Sequence, residues 1–124
     1  MSYAIAWKTR LADDEKRRLS LFSEAQKAAK KAAQILVEEF GVEQVYLIGS
    51  LLSKDAFTEH SDIDIAVSGL KTEIYFKALS KIWGIFPKGM DIDLIPMEDA
   101  DKYLKSRILK EGAILYDKKQ PAHT

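Results

Sequence analysis

Apolar residues recur at helical spacing from about Leu11 to Phe40, where Leu19, Phe22, Gln26, Ala29, Ala33, Leu36 and Phe40 share one face. Ala, Lys, Glu, Leu and Gln fill the stretch, all strong helix formers, so the pattern predicts an amphipathic helix over 11–40. Asp13, Asp14 and Glu15 stand where a helix start favours negative charge, and Gly41 is a natural stop. The period then shortens. Val42, Val45, Tyr46, Leu47 and Ile48 form a β-branched and aromatic run ended by Gly49-Ser50, which predicts a buried strand over 42–48. Ile63–Val67, closed by Ser68-Gly69, predicts a second. Helical spacing returns over 72–82 through Tyr75, Phe76, Leu79 and Ile82; Tyr75, Phe76 and Trp83 read as core or partner-facing, with core the default that this spacing gives. Residues 90–95 predict a third strand ended by Pro96, and 98–111 a last helix stopped by Gly112. Ala113–Tyr116 closes the series as a short strand, leaving 117–124 as a frayed tail.

Helices alternating with short strands predict an α+β fold, a small mixed β-sheet packed with helices. At 124 residues, one domain over 1–124 is expected: an N-terminal helix at 11–40, a core at 42–116 and the tail. The chain has no cysteine, which excludes disulfides, thiolate metal sites and thiol catalysis and fits a reducing cytoplasm. No apolar run approaches the roughly 18 residues of a membrane span, so no membrane association is expected. With 19 basic and 19 acidic residues the net charge is zero, which weighs against direct nucleic-acid binding through bulk electrostatics. The charge is unevenly spread, however. Residues 41–70 carry one basic and five acidic groups, a local charge of −4.

That local charge centres on Asp62-Ile63-Asp64, and a second pair, Asp91-Ile92-Asp93, lies on the third predicted strand. In a strand, positions i and i+2 project from one face, so each pair aims two carboxylates the same way while the isoleucine between them faces the core. On neighbouring strands, three or four carboxylates would gather within a few ångströms. Like charges that close call for a proton or a cation, and a hard divalent ion such as Mg²⁺ suits oxygen ligands. The plainer reading is a set of solvated acids at strand ends. Gly49-Ser50 supplies a complement: backbone N–H groups after a strand, able to meet phosphate, with a glycine that permits close approach.

Gly49-Ser50, an eleven-residue spacer, Asp62-Ile63-Asp64 and then Ile92-Asp93-Leu94-Ile95 resemble the DNA polymerase β-type nucleotidyltransferase superfamily, and within it the minimal nucleotidyltransferase (MNT) group. The resemblance runs from about Val42 to Tyr116 and includes the closing Glu111-Gly112-Ala113-Ile114-Leu115-Tyr116. It implies a polymerase β palm-like fold and a two-metal Mg²⁺ site with ATP as substrate. It also implies roles: Asp62, Asp64 and Asp93 as metal-binding catalytic acids, Asp91 as second choice for the third, and Gly49 and Ser50 as triphosphate contacts. Many members carry an Arg and then a Gly shortly after the Gly-Ser; this chain has Leu51-Leu52-Ser53-Lys54-Asp55, leaving Lys54 as the nearby cation.

The implied partner of the MNT group is a HEPN-type toxin, so the chain is expected to form a hetero-oligomer in which it transfers AMP to a toxin hydroxyl, a tyrosine's for preference. A second reading is an antitoxin that neutralises its partner by contact alone, which the altered loop after Ser50 motivates. His60, in the loop before the acidic strand, and His123, in the tail, read as solvated. Lys102, Lys105 and Lys110 read as a solvated basic helix face.

Overall fold

The computed structural model describes residues 3–119. Helix α1 runs Tyr3–Phe40, 38 residues and therefore about 57 Å long. It begins well before Leu11, because nothing from Tyr3 to Arg10 interrupts helix propensity. The acids expected at its start consequently lie inside it, where Asp14 pairs with Arg17 at 3.8 Å and Glu15 with Arg18 at 2.7 Å. Burial starts only in the second half, on a seam of small residues formed by Ala25, Ala28, Ala29, Ala32, Ala33 and Leu36. Gly41, at φ +69°, turns the chain out of the helix.

Four strands follow: β1 (Gln44–Ile48), β2 (Ile63–Ser68), β3 (Ile92–Pro96) and β4 (Ala113–Asp117). They form one mixed sheet in the order β3-β2-β1-β4, with β1 antiparallel to both β2 and β4 and β2 parallel to β3. Helix α2 (Tyr75–Trp83) crosses between the parallel strands, and α3 (Lys102–Glu111) joins β3 to β4. α3 starts later than the pattern suggested, because residues 97–99 form a separate 3-10 turn. Asp101 then caps it by accepting the Leu104 N–H at 2.7 Å. The tail is shorter than expected: Asp117 is buried, pairs with Gln44 in β4, and is followed by a Lys118 N–H bond to the Glu43 carbonyl at 2.9 Å. The remaining tail, with His123, lies outside the described residues.

Strand alternation divides the core in two. Val45, Leu47, Ile63, Ile65, Val67, Ile92 and Leu94 face α1 and α2 in the larger cluster. Tyr46, Ala66, Ile48 and Ile95 face the other way, against Met97 and the Leu104 and Ile108 side chains of α3. Two aromatics assigned to the core are outside it: Phe76 is 79% exposed and Trp83 42%, whereas Tyr75 packs against the large cluster. Tyr75 holds its place by donating its hydroxyl to the Leu94 carbonyl at 2.6 Å. Among the described residues no helix is long and apolar enough to cross a membrane.

Candidate active site

The parallel register of β2 and β3 sets Ile63 beside Ile92 and Asp64 beside Asp93. Because side chains alternate, the isoleucines enter the large core and both aspartates emerge on the α3 face of the sheet. On its other side Asp64 is paired with Ile48, the last residue of β1. The chain leaves β1 through Gly49 at φ +84°, a left-handed conformation, and a Cβ there would lie 2.8 Å from Asp64 Oδ2. Glycine is therefore required twice over, for the turn and for the approach of backbone to carboxylate. Ser50 follows within a 3-10 turn, Gly49–Leu52, closed by the Ser53 N–H on the Ser50 carbonyl at 3.1 Å.

A pocket of about 280 Å³ opens beside these residues. The sheet supplies Ile48, Gly49, Asp64, Asp93 and Ile95; α3 supplies Leu104, Arg107, Ile108 and Glu111, the i, i+3, i+4, i+7 face of that helix. Burial raises the Asp64 pKa above the ordinary carboxylate value, the charges of Asp93 and Asp62 raise it further, and Arg107 opposes them. Asp62 is exposed just ahead of β2, close enough for its charge to act on Asp64. Asp91 engages by its backbone, accepting the Ile63 N–H at 2.8 Å, and lines no part of the pocket. Of the two, Asp93 alone is in register with Asp64 and lines the pocket with it.

The close gathering of three or four carboxylates is not found. Among the described residues no group of three or more His, Cys, Asp or Glu side chains is placed to hold a metal ion. The donors themselves fit a hard divalent cation: all are carboxylate oxygens, and burial plus like charge leaves Asp64 short of positive compensation. Of the two phosphate-turn residues, Gly49 lines the pocket and Ser50 stands one residue beyond it.

Lys54, the cation expected near the turn, does not line the pocket. Its loop is held instead from α1. Arg18 Nη1 donates to the carbonyls of Lys54 at 2.5 Å and Phe57 at 2.9 Å, and Gln26 Nε2 donates to the Leu51 carbonyl at 2.8 Å. Phe57 is fully buried, its ring edge-to-face on Phe22 at 5.5 Å. His60 is largely exposed and lies outside the pocket beside the acids. Sequence reading missed Arg18, Arg107 and Glu111; the single polar residue on the apolar face of α1, Gln26, was the one visible hint.

The family model for Polymerase beta, Nucleotidyltransferase matches residues 30–121, from the buried half of α1 through the last strand. No curated protein matches the sequence. Similar folds occur in a toxin–antitoxin with AMP-PNP, at 24% identity and TM-score 0.59, covering 73% of this chain and 75% of that one. A tri-AMPylated Shewanella oneidensis HEPN toxin in complex with an MNT antitoxin gives 24% identity and TM-score 0.57, covering 77% and 75%. A tyrosine-to-alanine variant of the toxin–antitoxin MntA–HpeT gives 26% and 0.57, covering 73% and 72%. The family match spans the glycine turn, both acidic strands and the helix that roofs the pocket, and this chain is a nucleotidyltransferase of the polymerase β family.

Proposed function

We propose that this chain is a Mg²⁺-dependent adenylyltransferase that moves AMP from ATP to a hydroxyl, a tyrosine's, on a HEPN-type toxin partner, and so acts as its antitoxin. The observation that carries the reading is the side-by-side register of Asp64 and Asp93 next to the Gly49 turn. The turn offers N–H donors and close backbone approach to the triphosphate, with the Ser50 hydroxyl beside it. Asp62, Asp64 and Asp93 would hold Mg²⁺, which when bound neutralises phosphate charge and orients the reacting oxygens. Asp93, exposed at the pocket edge, accepts the proton of the attacking hydroxyl. That oxygen bonds to the α-phosphorus in line with the leaving group, and pyrophosphate departs.

The pocket is small and open, lying between one sheet face and one short helix. A protein acceptor that brings its own hydroxyl suits such a surface better than a small molecule needing enclosure. The toxin–antitoxin complexes of similar fold, one with a tri-AMPylated HEPN toxin and one with AMP-PNP, support the choice of partner and nucleotide. The test is co-expression with a HEPN-type protein, if the adjacent reading frame encodes one, followed by intact mass measurement of that protein. AMP adducts that vanish with Asp64→Asn support transfer. An unmodified partner, fully neutralised in cells by the Asp62→Asn, Asp64→Asn double variant, would show that contact alone suffices.

A further inference from the structure

The pocket brings three carboxylates, Asp64, Asp93 and Glu111, against one basic side chain, Arg107. A nucleoside triphosphate entering it adds further negative charge to a pocket already lined by three carboxylates. A cation fixed in the protein would share that charge with Mg²⁺, and Lys54, the cation that follows Ser50, does not line the pocket. Lys102, Lys105 and Lys110 occupy other faces of α3 and do not line it either.

We propose that Arg107 is a nucleotide-binding residue of this site, its guanidinium contacting the phosphates of the bound triphosphate. Helical spacing puts it on the pocket face of α3, beside buried Ile108 and partly buried Leu104, with its side chain exposed enough to reach a bound ligand. Glu111 takes one donor, Arg107 Nε, at 3.1 Å. Among the described residues no other hydrogen bond uses the guanidinium, which leaves both Nη groups as the fork that binds phosphate oxygens in pairs. Arg107 lines the same pocket as Asp64 and Asp93, so a ligand held by the acids lies within its reach. This inference rests on the adenylyltransferase reading and adds a specific phosphate ligand to it.

The test is calorimetric titration of the full chain with AMP-PNP and, separately, adenosine, in Mg²⁺, for wild type, Arg107→Gln, Arg107→Lys and Glu111→Gln, each first shown folded by circular dichroism. Loss of a charge-assisted contact predicts AMP-PNP binding weaker by about 10-fold or more in Arg107→Gln, with partial recovery in Arg107→Lys. Adenosine affinity stays at the wild-type value. Glu111→Gln separates a ligand role from a purely structural one, because it breaks the Arg–Glu pair while removing a negative charge. A phosphate ligand predicts AMP-PNP affinity equal to wild type or tighter in that variant; equal losses in Glu111→Gln and Arg107→Gln would overturn the proposal. Unchanged AMP-PNP affinity in Arg107→Gln, or an equal loss for adenosine, overturns it as well. Failure of wild type itself to bind AMP-PNP would overturn the adenylyltransferase reading with it, whereas wild-type binding indifferent to Arg107 overturns this inference alone.

Discussion

Gly49 and Asp64 are packed so closely that a methyl group on the glycine would lie 2.8 Å from the Asp64 Oδ2. One residue thus sets both the turn after β1 and the position of the least exposed acid lining the pocket. In Gly49→Ala the left-handed backbone costs about 1–2 kcal/mol and the carboxylate must shift as well. Nucleotide transfer is expected to fall by more than 10-fold while the protein remains folded, as read by circular dichroism and a transfer assay on the same preparation. Wild-type transfer in Gly49→Ala would mean that the Asp64 position is not used.

Asp64 makes the apo protein less stable than it need be. Its folded pKa is raised, so between the unfolded carboxylate value, about 4, and the raised value the folded chain binds more protons than the unfolded one. The penalty is therefore absent in acid, grows as pH rises through that window, and is complete at neutral pH. Asp64→Asn is expected to raise the unfolding midpoint at pH 7 by a few degrees, lose that advantage in acid, and abolish transfer. Mg²⁺ should raise the midpoint of wild type more than that of Asp64→Asn, and chelator should reverse the rise. A lower midpoint for Asp64→Asn at pH 7 contradicts the electrostatic account.

The acids were legible because period-2 patterning is strict: a carboxylate between two isoleucines in a strand must face away from the core. Asp64 could be placed on that ground; the roles of Asp62, Asp64 and Asp93, and the preference for Asp93 over Asp91, came from the family resemblance, and the β2–β3 register sets Asp93 beside Asp64. Arg107 was hidden by the opposite circumstance. Among Lys102, Lys105 and Lys110 it looks like one more solvated cation, and helical spacing gives a face without saying what lies across from it. Phe76 and Trp83 misled for the same reason, since α2 has a core face formed by Ala78 and Ile82 and leaves both aromatics outside. The early start of α1 was missed because residues 6–17 are exposed, and burial is what periodicity detects.

The loop after the phosphate turn is held by α1 rather than by its own sequence. Arg18→Gln and Gln26→Leu each remove a donor from a carbonyl of that loop, at a cost of about 1 kcal/mol per hydrogen bond. Faster amide exchange is expected over 51–57 in both variants, with the β-sheet amides unchanged. Uniform acceleration across the sheet would show that the contacts stabilise the fold at large instead of the loop.

Helix α3 is fastened to the sheet chiefly by Ile108, its one fully buried side chain. Ile108→Ala is expected to cost about 2–4 kcal/mol and to loosen the wall that carries Arg107. Chemical denaturation should report the loss, and AMP-PNP affinity should fall with it; Ile108→Val should restore most of both.

The central claim is transfer of AMP, and the position of the isotope tests it most directly. Wild-type chain is mixed with its purified partner, Mg²⁺ and ATP labelled at either the α- or the γ-phosphorus. Attack at the α-phosphorus with departure of pyrophosphate predicts covalent label on the partner from α-labelled ATP, none from γ-labelled ATP, and none from either with Asp64→Asn. Label from γ-labelled ATP, or an unlabelled partner that wild type nevertheless neutralises, would contradict the account.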